Sequence, residues 1–221
     1  MIVNFNEDCL RDLYRSGKSD KKHRFQPQIV RKYIRVIDLM ISEDNVQGLW
    51  KYNSLNYERL EGNKEGLSSV RVNDQYRIEF EEEFEDGQTI ATICNITELS
   101  NHINEIVMSN NKKTIKEMRA NDMTPFFPTH PGDVLKNEIE YRGISQRQLA
   151  EEMGIAYSAM NEILNARRPV TEKTALLFEA ALGVNAEPLL KMQMRYNLQS
   201  TKNDSTFMAR LAKVRRVAAA L

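Results

Sequence analysis

Basic side chains in the first half of the chain could supply the cations that metal-free cleavage of an RNA phosphate would need. Such cleavage needs a base for the proton of the 2′-hydroxyl, cations that hold the phosphate as its charge builds, and an acid for the departing oxygen. One lysine and two arginines are the candidate cations. The candidate base is His102, which follows the last predicted strand, with a glutamate or a tyrosine as its partner. The predicted catalytic residues are Lys64, Arg71, Arg77, Tyr76, Glu98 and His102.

Each of these residues also has a purely structural explanation. An arginine on a strand is usually a solvated cross-strand partner, and a histidine that follows a strand is more often structural than catalytic. The three histidines share no metal-ligand spacing, so we predict neither a metal site nor a cofactor. The two cysteines, Cys9 and Cys94, lack a Cys-x-x-Cys arrangement, which favours reduced, packed thiols.

Hydrophobic periodicity indicates the elements that position this chemistry. Two helical patterns precede Trp50, and β-branched and aromatic segments follow it, with Asp86-Gly87 as a two-residue hairpin signal between the last two. Alternation places Arg77 on the sheet face opposite Ile78, so that it can project from a sheet whose other face is buried. The segment 18–24 is either a solvated loop or part of a phosphate-binding rim. The pattern predicts an α+β domain with strands at 2–5, 67–72, 75–84 and 88–96 and helices at about 7–16 and 27–42.

A second set of polar residues lies between Ser145 and Asn165, where two short amphipathic helices hinge at Gly154. This arrangement is typical of a DNA-binding helix-turn-helix, although similar helical hairpins occur in domains that never contact DNA. Ser145 and Gln148 predict a capping box at the start of the first helix. The predicted base contacts come from Tyr157, Ser158, Asn161 and Asn165, and the predicted phosphate contacts come from Gln146, Arg147, Arg167 and Arg168.

The segments flanking this motif resemble those of the HigA antitoxins, members of the lambda-repressor/Cro-like helix-turn-helix group. The resemblance covers roughly residues 128–197. The similar segments are Pro128-Thr-His-Pro-Gly-Asp-Val-Leu before the motif and Asn165-Ala-Arg-Arg-Pro-Val-Thr-Glu-Lys-Thr-Ala after it. The resemblance implies an all-α domain that binds operator DNA. It also implies a homodimer whose recognition helices meet half-sites about one DNA turn apart.

The first half resembles the HigB toxins of the RelE superfamily over nearly all of residues 1–102. The resemblance rests on the stretches Leu60–Phe80 and Ile93–His102. It implies an endoribonuclease that cuts messenger RNA on the ribosome and is commonly encoded just before a HigA-like partner. Two positions depart from the family pattern, because Glu58 stands where a histidine is usual and Ser100-Asn-His102 replaces an Asp-Tyr-His triplet. The carboxylate and tyrosine roles are therefore left open.

Length and charge suggest how the chain is divided. The 221 residues have no net charge, yet residues 1–102 hold 14 Lys and Arg against 18 Asp and Glu, while the remainder has the opposite excess. Two domains of opposite charge would attract each other. We predict a toxin domain at 1–102, a connector at 103–127 with a short helix at about 114–120, and an antitoxin domain at 128–221. Thr171 is predicted to cap a helix that ends at Gly183. The segment 207–221 has the pattern of a basic amphipathic helix, docked on its own or a partner subunit or contacting nucleic acid.

These observations predict a toxin and its antitoxin in one polypeptide, an endoribonuclease silenced within or between chains by a DNA-binding repressor domain. No apolar run reaches the length of a membrane span and no leader opens the chain, so we expect a cytoplasmic protein with no membrane contact. The alternative is a transcriptional regulator whose first half is a dead nuclease, kept for sensing or dimerisation.

Overall fold

The computed structural model of the chain describes residues 1–18, 24–98 and 119–218. The predicted base His102 lies outside the described residues, as do the rest of 99–118, the middle of the basic 18–24 segment and the last three residues. Within the described ranges the fold class is confirmed, since a sheet with helices is followed by an all-helical part with a helix-turn-helix.

The first part is an α+β unit whose sheet has the strand order β1-β5-β4-β3-β2. Strand β1 runs parallel to β5, and the other neighbouring strands are antiparallel. Asp86 and Gly87 both have positive φ, 49° and 78°, as the predicted tight hairpin between β4 and β5 requires. The elements are β1 (Ile2–Phe5), α1 (Asp8–Ser16), α2 (Pro27–Ser42), α3 (Val46–Leu49), a 3-10 turn (Asn53–Leu55), β2 (Glu58–Arg59), a second 3-10 turn (Gly62–Lys64), β3 (Leu67–Arg71), β4 (Tyr76–Glu85) and β5 (Gln88–Glu98).

The second part is helical, and two of its predicted end signals are confirmed. Thr171 caps one helix with a complete capping box, and Gly183 ends that helix in the left-handed conformation. Of the two hydrogen bonds of the capping box predicted at Ser145, only one forms, so that prediction is wrong for the other. The Ser145 hydroxyl accepts the Gln148 backbone N–H, but the Gln148 side chain donates to Glu152 instead of returning to the cap. The helices are α4 (Pro131–Tyr141), α5 (Gln146–Glu152), α6 (Tyr157–Leu164), α7 (Glu172–Leu182), α8 (Ala186–Asn203) and α9 (Ser205–Ala218).

Helix α2 links the two parts, because it is covered on more than one side. Pro27 starts it at a position where a missing backbone N–H costs nothing. Its apolar positions include Tyr33, Ile34 and Ile37, all fully buried in a core that continues into the second part. Helices α4 and α8 both pack against α2, which also contacts β1. The two parts therefore share one hydrophobic core.

The described end of the predicted connector, residues 119–127, lies along the first part. Arg119 forms an isolated antiparallel bridge with Asn4, and the Asn121 amide accepts the Val3 N–H at 2.8 Å. The Phe126 N–H donates to the Tyr14 carbonyl at 2.9 Å. The helix predicted to end at Ala120 differs from the structure there, because 120–122 form a 3-10 turn while 114–118 lie outside the described residues.

Two further features concern the helices as a group. None of the residues of α9, 205–218, is buried, so this helix lies on the surface. Among the described helices, none has both the length and the apolar character needed to cross a membrane.

Candidate active site and nucleic-acid interface

Two arginines meet on one face at the end of the sheet. Arg71 lies directly opposite Arg77 in the register of β3 and β4. The Arg77 side chain does not project freely from the sheet, as the alternation alone suggested, since the residue is only 7% exposed. Its Nε donates to Ser69 Oγ at 2.8 Å, and its Nη2 donates to the Asn56 carbonyl at 2.7 Å. Burial lowers the pKa of Arg77, and the pairing described next opposes that shift.

Glu58 is the acidic partner of Arg77. Its Oε1 lies 2.9 Å from Arg77 Nη2, and it also accepts from Ser69 Oγ at 3.3 Å. The position at which the sequence departs from the HigB pattern is therefore in direct contact with a predicted catalytic cation. The contact joins β2 to β4 across β3, and the two residues are 19 positions apart in the chain, so local pattern alone gave no signal for it.

Lys64 is paired in the same way. Its Nζ lies 2.6 Å from Oε1 of Glu79, a buried carboxylate on β4. The two predicted cations Lys64 and Arg77 thus each hold an acidic side chain of the same sheet. Any phosphate that binds here must compete with those carboxylates for the cations.

The remaining predicted residues of this site lie close in the sheet register. Tyr76 is half-buried on β4, packs edge to face against Phe25 at a centroid distance of 5.5 Å, and pairs with Glu98 on β5. For Glu98 the structure describes the backbone only. The register brings Arg71, Arg77, Tyr76 and the Glu98 backbone together at one end of the sheet, while Lys64 joins them through Glu79.

Arg71 also contacts the second part of the protein. Its guanidinium pairs with Asp74 and lies over the ring of Tyr141 at 5.0 Å from the ring centroid. Tyr141 is the last residue of α4, so the helical part reaches one of the two site arginines directly. The sequence reasoning missed this residue, because a tyrosine near the end of an amphipathic helix carries no local sign of its partner.

A fully buried carboxylate joins α4 to the first part. Glu138 Oε1 accepts the Asn53 N–H at 2.8 Å, and Oε2 accepts the Ser54 N–H at 2.9 Å. Arg142 neutralises this carboxylate, with Nε at 2.6 Å from Oε1, and its Nη2 donates to the Lys51 carbonyl at 3.0 Å. In sequence, Glu138 and Arg142 look like an ordinary surface pair at i,i+4 spacing, which is why neither was singled out.

A second polar contact joins α2 to α8. Asp38 is buried and accepts the Tyr14 hydroxyl at 2.6 Å, with Arg195 at 3.6 Å. Burial raises the pKa of Asp38, and the nearby Arg195 charge opposes that shift. At the rim, Lys191 pairs with Asp44 at 2.8 Å. Both of these contacts join an acidic group of the first part to a basic group of the second.

The helix-turn-helix presents the predicted polar face. Its interior side packs through Leu149, Ala150, Met153, Ile163 and Leu164, which are buried, while Ile155 is partly buried. Tyr157 and Ser158 at the start of α6 are exposed, and Asn161 is half-buried. The Arg147 guanidinium lies over the Tyr157 ring at 5.6 Å, which joins the two helices at their outer surface.

Several predicted DNA contacts already have partners within the domain. Asn165 Nδ2 donates to the Asn161 carbonyl at 2.8 Å, and Asn165 Oδ1 accepts from Lys136 at 3.1 Å. Arg168 pairs with Glu162 at 2.7 Å on the surface. Of the two other phosphate candidates, Arg167 is exposed and Gln146 is half-buried. Within the part of the chain that the structure describes, no group of three His, Cys, Asp or Glu side chains could hold a metal ion.

Comparisons with known proteins match the two parts separately. The family described as the RelE-like toxin of the type II toxin-antitoxin system HigB matches residues 3–102, and a helix-turn-helix family matches residues 135–189. The toxin HigB-1 of Vibrio cholerae serotype O1 is 30% identical over 93 residues, which are 42% of this chain and 93% of that toxin. The virulence-associated protein I of Dichelobacter nodosus is 34% identical over 76 residues, which are 34% of this chain and 70% of that protein.

The chain is also similar to proteins of known structure. An addiction module antidote protein of the HigA family from Coxiella burnetii is 31% identical, with coverage of 36% of this chain and 87% of that one and a TM-score of 0.34.

Proposed function

We propose that this chain, which belongs to the RelE-like HigB toxin family over residues 3–102 and joins that domain to a helix-turn-helix domain, is a toxin–antitoxin pair in one polypeptide. The observation that carries the proposal is the packing of α4 against the toxin domain. Glu138 is buried on two toxin backbone amides, and Tyr141 covers the guanidinium of Arg71. Loss of either partner would leave an uncompensated buried polar group, so this contact ties α4 to the toxin domain.

The toxin domain is proposed to cut messenger RNA on the ribosome without a metal ion. Arg71 and Arg77 would hold the phosphate beside the attacked bond, because guanidinium groups bind phosphate oxygens in pairs. His102 would take the proton of the 2′-hydroxyl as that oxygen attacks phosphorus, and the 5′ oxygen would leave as its bond to phosphorus breaks, taking a proton from a neighbouring acid or from water. An RNA phosphate that binds here would have to displace Glu58 from Arg77 and Glu79 from Lys64.

The helical domain is proposed to silence the toxin and to repress its own operon. Tyr157, Ser158, Asn161 and Asn165 would contact bases in the major groove, and Gln146, Arg147, Arg167 and Arg168 would contact phosphates. Two copies are needed to span half-sites about one helical turn apart, so we propose a homodimer as the DNA-binding form. Covalent linkage would keep the inhibitor at an effective concentration on the order of millimolar, without any new contact.

Expression of residues 1–102 alone tests the nuclease. We expect growth arrest and cleavage of messenger RNA on ribosomes, both abolished by His102→Ala. Co-expression of residues 119–221 from a second plasmid should restore growth. Because the two parts share a core, the separated domain must first be shown by circular dichroism to fold. A folded domain that leaves growth and transcripts unchanged contradicts the nuclease role.

The second candidate is a transcriptional regulator with an inactive toxin domain. The contact between Glu58 and Arg77 favours it, since an acidic residue occupies the place of the family histidine and holds a phosphate-binding cation. In that case the separated first domain is harmless, while the full chain still binds DNA upstream of its own coding sequence. The same two assays therefore separate the candidates.

A further inference from the structure

An aromatic groove lies where the toxin domain meets the end of α4. It is lined by Trp50, Tyr52, Asn53, Asn56, Tyr57 and Tyr141. The Trp50 side chain is 53% exposed and that of Tyr141 is 45% exposed, large values for rings of this size. Trp50 and Tyr57 have their centroids 5.7 Å apart, with a tilt of 41° between the rings. Trp50 and Tyr141 are thus the open aromatic walls of the groove, while Tyr57 is partly exposed and Tyr52 is buried.

Both arginines of the cationic site contact residues that line the groove. Arg77 donates to the carbonyl of Asn56, one of the lining residues, and the guanidinium of Arg71 lies over the Tyr141 ring. An RNA chain that placed a phosphate between the arginines would therefore have an adjacent nucleotide within reach of the aromatic walls. Continuity with the cationic pair is the reason to expect a nucleic acid here rather than an apolar ligand.

Two chemical features of the groove suit an unpaired base. Aromatic rings stack on the faces of single-stranded bases, and this stacking tolerates any sequence. Asparagine amides both donate and accept, so Asn53 and Asn56 can bond the edge of a base that is not paired. A base within a duplex has both of its faces covered by neighbouring bases, and a duplex should not enter.

We propose that this groove binds one unpaired nucleobase of a single-stranded RNA whose neighbouring phosphate lies at Arg71 and Arg77. The inference rests on the proposed function of the cationic site and adds a subsite to it. Since Tyr141 belongs to the antitoxin domain, the full chain has a groove wall that the separated toxin domain lacks. A bound nucleobase would therefore contact both domains of the full chain.

Trp50 provides a local readout, because it is the single tryptophan of the chain. Titration of the full chain with a single-stranded RNA of about six nucleotides should quench Trp50 fluorescence and saturate. The same RNA annealed to its complement should quench far less. Double-stranded DNA bound at the helix-turn-helix should leave Trp50 unchanged, so the signal separates this groove from the proposed operator site.

Variants that keep Trp50 test the stacking. Tyr141→Ala should weaken RNA binding at least about fivefold, while Tyr141→Phe keeps the ring and the affinity. Phe84→Ala is the matched control, since Phe84 is 76% exposed on the β4–β5 hairpin and is not a lining residue of the groove. Absence of saturable quenching, or equal affinity of Tyr141→Ala and the parent, overturns the proposal. The assay needs no cleavage, so an inert toxin domain with normal quenching refutes only the nuclease.

Discussion

Arg71 faces Arg77 across the ladder between β3 and β4, so two guanidinium groups occupy neighbouring positions on one face of the sheet. Like charges placed directly opposite each other destabilise a sheet. Here Asp74 and Glu58 each hold one of the two cations. Such a pair is costly for the fold and well suited to a phosphate, which can bond both groups at once.

Removal of one of these cations should stop RNA cleavage. In the separated toxin domain we expect Arg77→Ala to lower the cleavage rate at least about 100-fold, because a donor aimed at developing charge is lost. Glu58→Gln should have the opposite effect, since it frees Arg77 from a competing carboxylate. The measurement is the rate of messenger RNA cleavage on purified ribosomes, with circular dichroism as the check on folding.

Arg15→Ala on α1 is the control for these variants, because it removes an exposed arginine outside the predicted site. A rate for Arg77→Ala equal to that of Arg15→Ala would assign Arg77 a structural role. Slower cleavage by Glu58→Gln would instead make Glu58 part of the catalytic machinery.

The Glu138 contact should dominate the docking of the two domains. Glu138→Ala leaves a partly buried guanidinium and two backbone amides without this acceptor, so we expect the full chain to lose about 3–5 kcal/mol in free energy of unfolding. Glu162→Ala removes a surface ion pair with Arg168 and should cost at most about 1 kcal/mol. Urea unfolding followed by circular dichroism gives both values. Equal losses would mean that the buried carboxylate has no special role.

The start of the recognition helix should determine operator affinity. Ser158→Ala combined with Asn161→Ala removes two predicted base contacts, each worth about 1–3 kcal/mol, so specific binding should fall about 30-fold or more. The probe is a gel shift with DNA from directly upstream of the coding sequence. Binding to unrelated DNA should stay the same, because phosphate contacts remain. Unchanged operator affinity would show that another helix reads the bases.

His130 should make the stability of the helical domain depend on pH. Its buried Nδ1 accepts the Gly132 N–H at 2.9 Å at the start of α4, and burial lowers the pKa of its imidazole. Below about pH 6.5 the unfolded chain takes up a proton that the folded chain resists, so unfolding becomes easier as pH falls. His130→Asn keeps a capping acceptor and does not titrate.

The difference between parent and His130→Asn is the quantity to measure. We expect the stability of the parent relative to the variant to decrease from about pH 7 to about pH 5.5 in urea unfolding, which removes the contribution of all shared carboxylates. Parallel pH profiles for the two proteins would show that His130 is equally protonated in both states.

Local signals in the sequence determined most of the elements. Pro27 begins α2, Asp86 and Gly87 make the tight hairpin turn, and Thr171 with Gly183 bounds α7, as predicted from each residue's own conformational preferences. The helix-turn-helix followed from helical periodicity around Gly154, whose φ of 64° makes the turn. These features depend on neighbours within a few positions, so they can be read before any fold is known.

Only the tertiary structure decided which charges meet. The register of three strands brings Glu58 to Arg77. Glu138 accepts hydrogen bonds from backbone amides more than 80 positions away in the chain. In sequence each looks like a solvated surface charge, since burial and partner are set by packing between elements and not by the residues beside them. The chemistry of the individual side chains was therefore predictable, whereas their pairing, and the contact of Tyr141 with Arg71, required the folded chain.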